Sequence, residues 1–395
     1  MNWLSQTVAV TLVNLRTIPQ RLSSSAVAII GIAGVVIVLV AVLSIAEGFK
    51  AAMRGAGSDS RAIVMRSGAD AEMTSGLTGP DTDIVKQAPG IKRDGQAVVA
   101  SAELFVIIDL PKKSTGTSAN VPMRGIETTA FKVRNEASIV SGRMLQFGTN
   151  EVIVGRAASG QFAGLDVGSE IKSGQVTWTV VGVFEDDGGV PETEIWCDAK
   201  TLQGVYRRGN SYQSVLVQLE GPDSLGPFKD WLTANPQINV GVRRESDYYA
   251  AQSLTLTTLI RSVGFVIAAL MGIAAVFGAI LTMYTAVATR AREIATLRAL
   301  GFNATAVLVS VLAESIALAA VGGVIGGVIA YLGFNGYQTS TINFQTFSQV
   351  AFAFRVTPEL LLMGLVWSLA MGLLGGLLPA VRASRLPIVT ALREL

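Results

Sequence analysis

The residues Arg290-Ala-Arg-Glu-Ile-Ala-Thr-Leu-Arg-Ala-Leu-Gly301 interrupt a part of the chain that is otherwise almost free of charge. The 28 residues before them, 262–289, carry no charged side chain, whereas this segment holds three arginines and one glutamate. Helical spacing puts Ile294, Leu297 and the Leu300/Gly301 end on one side. Arg290, Glu293 and Arg298 fall toward another, with Arg292 between them. The pattern predicts a short amphipathic helix at a membrane face, presented where another protein can grip it.

The flanking runs explain why a membrane is expected. Of the 395 residues, 50% are hydrophobic and 15% charged, against about 25% charged in an ordinary soluble domain. Crossing a hydrocarbon core of about 30 Å takes about 20 apolar residues. Four segments qualify: 24–46, a stretch within 262–289, 305–332 and 360–381. The second would reach about 42 Å as a helix, so it is expected to tilt or project as a stalk that 246–258 continues upstream. Arg16 and Arg21 precede the first span. Arg290, Arg292 and Arg298 separate the second from the third, and Arg382, Arg385 and Arg393 follow the fourth. Positive residues favour the cytoplasmic side, which predicts both termini and residues 290–301 inside. The large segment after the first span and the loop 333–357, whose charge is Arg355, are then outside. The first apolar stretch is too long for a signal-peptide core and is expected to stay as a span.

The fold class expected is therefore an α-helical membrane protein with four transmembrane helices and a large α+β extracytoplasmic domain between helices 1 and 2. Residues 1–22 read as an interfacial amphipathic helix, with Leu4, Val8, Leu12 and Leu15 as its stripe, Trp3 in the headgroup layer and Pro19 as its end. Residues 23–57 are span 1 and its stalk, 58–247 the external domain, and 248–289 stalk and span 2. Then come 290–303, the charged helix; 304–332, span 3; 333–357, a short external loop; 358–381, span 4; and 382–395, a cytoplasmic tail with a turn near 389–393. Within the external domain, strands are expected at 97–110, 151–154, 176–184, 213–219 and 238–242, and helices at 80–87, 155–163, 200–208 and 222–232. It is long enough to form one domain or two small ones. Pro379 is expected to kink or end span 4.

Several residues stand out chemically. Gly322, Gly323, Gly326 and Gly327 make overlapping small-xxx-small pairs in span 3, suited to close helix packing within the subunit or at a dimer seam. Glu314 lies at membrane depth, where a carboxylate needs a partner, and is expected to make a structural bond near the cytoplasmic end. Glu185-Asp186-Asp187, with Glu192 and Glu194 after a Gly-Gly pair, reads as a solvated hairpin turn, the other reading being a site for a hard cation such as Ca²⁺. Cys197 reads as a half-buried strand thiol. With no histidine and a single cysteine, Cys/His zinc sites, an intrachain disulfide and Ser-His or Cys-His nucleophile pairs are excluded. No catalytic or metal residue is assigned. Residues 47–260 hold 21 basic and 25 acidic side chains, so the basic excess lies beside the apolar runs and not on a nucleic-acid surface.

As a set these motifs resemble the FtsX/MacB family of ABC-transporter permeases, also known as type VII. Residues 290–301 resemble the family's coupling helix. Glu314 with its glycines resembles the next helix, and Pro379-Ala-Val-Arg-Ala-Ser-Arg-Leu-Pro387 through Arg393 resembles its C-terminus. Ser141-Gly-Arg-Met-Leu145, Asn150-Glu-Val-Ile-Val-Gly155 and Trp178-Thr-Val-Val-Gly-Val-Phe184 resemble the MacB-like periplasmic core. The resemblance implies a non-catalytic permease in the bacterial inner membrane. A cytoplasmic ABC ATPase dimer carrying ATP and Mg would drive it, and it would work beside a second permease copy, identical or paralogous. A periplasmic adaptor, an outer-membrane protein and membrane lipids are the further partners implied. No cofactor would bind this chain itself. No G-x-x-x-x-G-K-[ST] loop occurs and about 22 residues precede the first span, so a stand-alone permease with its ATPase on another chain is expected. The implied coupling contacts are Arg290, Arg292, Glu293, Ile294, Leu297, Arg298 and Gly301. The implied work is export or extraction of a lipid, lipoprotein, peptide or hydrophobic drug by mechanotransmission. The alternative is an FtsX-like regulator that activates a periplasmic cell-wall hydrolase.

Overall fold

The computed structural model describes residues 3–17, 22–343, 345–388 and 391. By contacts the chain divides into two compact units. One comprises residues 1–47, 258–337 and 354–395; the other comprises 48–257 and 338–353. Eleven α-helices are described: α1 (Trp3–Thr17), α2 (Leu22–Gly55), α3 (Gly79–Gln87), α4 (Ala130–Val133), α5 (Arg156–Gln161), α6 (Ala199–Val205), α7 (Leu225–Ala234), α8 (Glu245–Thr289), α9 (Ala291–Ala299), α10 (Ala304–Phe334) and α11 (Pro358–Ser384).

The first unit is helical. Four helices, α2, α8, α10 and α11, are long and apolar enough to cross a membrane, and they mark a membrane protein. Small residues set their spacing. A side chain at Gly326 would lie 2.6 Å from the Ala33 carbonyl oxygen of α2, and one at Gly323 would lie 2.2 Å from Ser368 Oγ of α11. A Cβ at Gly372 would meet that of Ala319 at 2.5 Å. The four glycines of α10 are thus filled by helices of the same subunit, Gly322 and Gly326 by α2, Gly323 and Gly327 by α11. Of the two readings left open for them, the packing seen in the chain is the intrasubunit one. Ser315 Oγ donates to the Gly372 carbonyl at 2.7 Å, adding a polar tie between α10 and α11. Helix α11 continues through Pro379 to Ser384, so the proline does not end it. Membrane helices tolerate the one lost backbone bond when neighbouring groups surround it.

Helix α1 packs on α10, with Val10 buried and the Asn14 amide donating to Ser310 Oγ. Val8 and Leu12 are exposed, together with Val13. The side chains of Trp3, Leu4 and Leu15, and Pro19, lie outside the described residues, as does most of the turn expected near 389–393.

The second unit is built on a ten-stranded sheet. Its path runs Val240–Arg244, Arg61–Arg66, Ser214–Gln218, Ala100–Pro111, Ser118–Ile126, Ile195–Asp198, Glu151–Gly155, Val176–Glu185 and Ser138–Gly142, with Glu170–Ser173 branching from Val176–Glu185. The 12-residue strand Ala100–Pro111 joins the halves. Ala100–Glu103 pair with Ser214–Val217, and Leu104–Pro111 pair with Ser118–Gly125. Each half has its own core: one around Val64, Ala102, Val215 and Phe228, the other around Val106, Val121, Val154, Trp178 and Ile195. A third cluster, around Ile126, Ile153, Phe184 and Trp196, packs beside the second half, so one sheet carries the whole unit with more than one core. The strands Arg61–Arg66, Ser118–Ile126, Ser138–Gly142, Glu170–Ser173 and Ile195–Asp198 were not expected.

Nor was the hairpin of Gln338–Ile342 with Gln349–Ala353. It corrects the reading of residues 333–357 as a plain loop. The hairpin belongs to the large unit: Asn343 Nδ2 donates to Gln252 Oε1 at 2.8 Å, and Asn120 Nδ2 donates to the Phe347 carbonyl at 2.8 Å. Its strand residues Gln338-Thr-Ser-Thr-Ile342 are mostly polar, so no apolar alternation announced them.

Candidate functional site

Helix α9 sits between α8 and α10 and is held by its two ends. At the start, Arg290 is buried and paired with Glu314 of α10, Nη1 to Oε2 at 2.9 Å and Nη2 to Oε1 at 3.4 Å. At the finish, Gly301 has φ +93°, a conformation that favours glycine. The Gly301 N–H bonds the Arg298 carbonyl at 3.1 Å and the Phe302 N–H bonds the Leu297 carbonyl at 3.1 Å. These two bonds form a Schellman closure that satisfies the last carbonyls of α9. Asn303 then caps α10, its side chain accepting from the Thr305 N–H. The start, stop and restart of the helix are thus each encoded by one residue type suited to the position.

The expected contact residues divide. Ile294 is buried with Met283, Val287, Val307 and Ala383. Arg290 is likewise turned inward. Neither is available to another chain, which corrects their assignment as contacts. Arg298 is half-buried, its Nη1 donating to the Ser384 carbonyl at 2.8 Å, at the C-terminal end of α11 where a cation is favoured. Leu297 is half-buried. Arg292, Glu293 and Gly301 are exposed, along with Thr296 and Leu300, the latter 72% exposed. The apolar stripe read from spacing is real, but its Ile294 end anchors the helix and its Leu300 end faces out. Glu314 makes the structural bond expected of it, and its partner is Arg290.

A second charge centre, unsuspected from sequence, lies in the large unit. Arg124 is buried and uses all five of its N–H donors: Nε to Glu194, Nη1 to Glu72 and Glu103, Nη2 to Glu72 and Glu194, at 2.7–2.9 Å. Arg134 grips Glu103 with both terminal nitrogens at 2.6 and 2.8 Å. Burial alone would push the Glu103 carboxyl up, but Arg134 and Arg124 outweigh it and hold it at about 2. Ser214 Oγ and Trp196 Nε1 donate to Glu72 and Glu194. The partners come from residues 21, 52 and 70 positions away, a separation that no local motif displays.

The acidic turn is also corrected. Glu192 and Glu194 are buried, not solvated. Glu192 Oε1 accepts from the N–H groups of Asp186 and Gly188 at 2.8 and 2.7 Å, and Glu194 belongs to the Arg124 network. Among the described residues no three such side chains are grouped so as to hold a metal ion. Cys197 is fully buried rather than half-buried, and burial raises its thiol well above the usual range, which makes it inert.

Comparisons with known proteins place these features. The MacB-like periplasmic core domain matches residues 25–235, and the FtsX-like permease C-terminal domain matches residues 265–388. The macrolide export ATP-binding/permease protein MacB of Pasteurella multocida (strain Pm70) is 26% identical over 346 residues, covering 82% of this chain and 50% of its own. MacB 1/2 of Paracoccus denitrificans (strain Pd 1222), of the same description, is 26% identical over 387 residues, covering 93% of this chain and 55% of its own. The ABC transporter permease YvrN of Bacillus subtilis (strain 168) is 35% identical over 111 residues, 28% of this chain and 25% of its own. The chain spans about half the length of the two MacB relatives. With one family domain matching more than half of the chain and a second matching most of the remainder, the chain belongs to the MacB/FtsX-like family of ABC transporter permeases.

Proposed function

We propose that this chain is the non-catalytic permease subunit of an ABC transporter in a bacterial inner membrane, with both termini and α9 in the cytoplasm and the large unit outside. A cytoplasmic ATPase dimer, carrying ATP and Mg, docks on the outward face of α9 formed by Arg292, Glu293, Thr296 and Leu300. The observation that carries this reading is the construction of α9: a short helix with its inner face locked by Arg290–Glu314 and Ile294, and its charged face left open. A force applied to such a helix passes into α10 through a buried ion pair instead of being lost in a loose loop. Helices α2 and α8 each contribute residues to both units, which supports them as the route by which motion reaches the large unit. Val266, Leu270, Ile273, Phe277 and Leu281 recur at helical spacing along α8 and are exposed, a surface suited to lipid and to a second permease copy. The work is export or extraction of a hydrophobic cargo, a lipid, lipoprotein, peptide or drug, with a periplasmic adaptor and an outer-membrane protein completing the path.

The test reverses the open face with Arg292→Glu and Glu293→Arg together. Loss of ATPase co-purification from native membranes, with the permease still folded and inserted, is the expected result. A complex that survives the reversal with ATP-driven transport intact overturns the docking assignment.

A further inference from the structure

The large unit contains a cavity of about 630 Å³, within the range of small-ligand sites. Five carboxylates line it: Asp59, Glu136, Asp186, Asp187 and Asp247. Two guanidiniums oppose them; that of Arg61 is committed to Glu245 and to Glu136 of the five, which leaves Asp59, Asp186, Asp187 and Asp247 facing Arg54. The wall is therefore strongly acidic. One of the five carboxylates differs from the rest. Asp186 is only 4% exposed, and no described residue donates a hydrogen bond to its carboxyl group. The bonds of its turn go to Glu192 instead. Its oxygens are not fully enclosed, and a nearly buried carboxylate that no protein group bonds is still costly to keep ionised. Burial pushes Asp186 up to about 6, with Arg134 and Arg61 opposing the rise and Glu245 and Glu136 adding to it.

We propose that this cavity binds a small organic diamine or polyamine, with Asp186 as the buried anchor for one ammonium group and the exposed Asp187 and Asp247 receiving the others. An ammonium supplies the donors that Asp186 lacks. A single metal ion fits less well, because no three carboxylates converge on one point among the described residues. Charges spread along a flexible chain match carboxylates spread around a cavity. This site is independent of the α9 docking reading, since binding is measured without any ATPase.

The experiment is calorimetric titration of the purified full chain with spermidine at pH 7.5. One saturable site per chain is expected. Asp186→Asn should weaken it about tenfold, the loss of one charge-assisted bond. Asp247→Asn, on the exposed first turn of α8, should weaken it about threefold and serves if the buried variant fails to fold. Lowering the pH to 5 should also weaken binding, as Asp186 takes up a proton. Absence of spermidine binding, or affinity unchanged in both variants, overturns the proposal. So does displacement of spermidine by calcium at matched ionic strength, which would make the cavity a metal site.

Discussion

Arg124 and Arg290 are both withdrawn from solvent, one in each unit, and the difference between them separates two ways of keeping a charge inside a protein. Arg124, in the large unit, has every donor satisfied and is shared among Glu72, Glu103 and Glu194, with Ser214 and Trp196 bonding the carboxylates in turn. Arg290, in the helical unit, is paired with Glu314 at the junction of α8 and α9. The first network ties together three separate stretches at the place where strand Ala100–Pro111 changes partners, so it specifies the sheet. The second fixes one short helix against one long one, so it specifies the position of α9. A polar interior can spread a charge over many groups. An apolar one must answer it locally with a counter-charge.

The comparison breaks first at Arg124. Arg124→Met leaves the buried Glu72 and Glu194 without their cation, and Glu103 with Arg134 alone, and should cost about 3–5 kcal/mol. Denaturant unfolding followed by the fluorescence of the buried Trp178 and Trp196 reads it. A loss below about 1 kcal/mol would mean that the network is not what holds the two halves of the sheet together. Next is the helical pair. Glu314→Gln takes the carboxylate from a buried ion pair and should cost about 3 kcal/mol, whereas the double variant Arg290→Met/Glu314→Leu should recover most of that stability, since apolar groups replace the pair in apolar surroundings. Thermal unfolding in detergent measures the recovery. If the double variant also keeps ATP-driven transport, the ion pair does not position α9 for coupling. A smaller effect is expected where charge plays no part: Gly326→Val meets the Ala33 carbonyl and should cost about 1–3 kcal/mol by overpacking.

What the sequence displayed follows the same divide. Four long apolar runs are legible because a membrane demands a continuous signal, and Glu314 and Arg290 stand out because charge is rare there. Only the identity of their partners needed three dimensions. In the large unit, charge is common and carries no signal by itself. Arg124 lies in Pro122-Met-Arg-Gly-Ile126 and reads as any strand arginine, because its burial is decided by carboxylates brought in from distant segments. Glu192 and Glu194 look solvated for the same reason. At the candidate site, the segment 290–301 and its amphipathic character were readable. Which of its residues turn inward was not, because Arg290 and Ile294 are claimed by α10 and α8 rather than by their own helix.

The smallest effect expected tests the contrast within the large unit itself, between a carboxylate with partners and one without. Glu103, held at about 2, contributes stability that is fully present above its unfolded value near 4.5 and is lost only as the pH falls through about 2. It is silent between pH 7.5 and 5. Asp186 has the opposite sign. Its folded value, about 6, lies above the unfolded value of 3.8, so its ionised form penalises the folded state above pH 6 and protonation relieves that penalty below it. Acidifying from pH 7.5 to 5 without added amine should therefore stabilise the large unit by about 1 kcal/mol, or about 3 °C in its melting transition. In Asp186→Asn the rise should vanish, and the variant should already melt higher at pH 7.5, because a neutral amide replaces a buried charge. A rise of the same size in the variant would assign the effect to other groups and would mean that Asp186 finds, in solution, the donor that the fold does not give it.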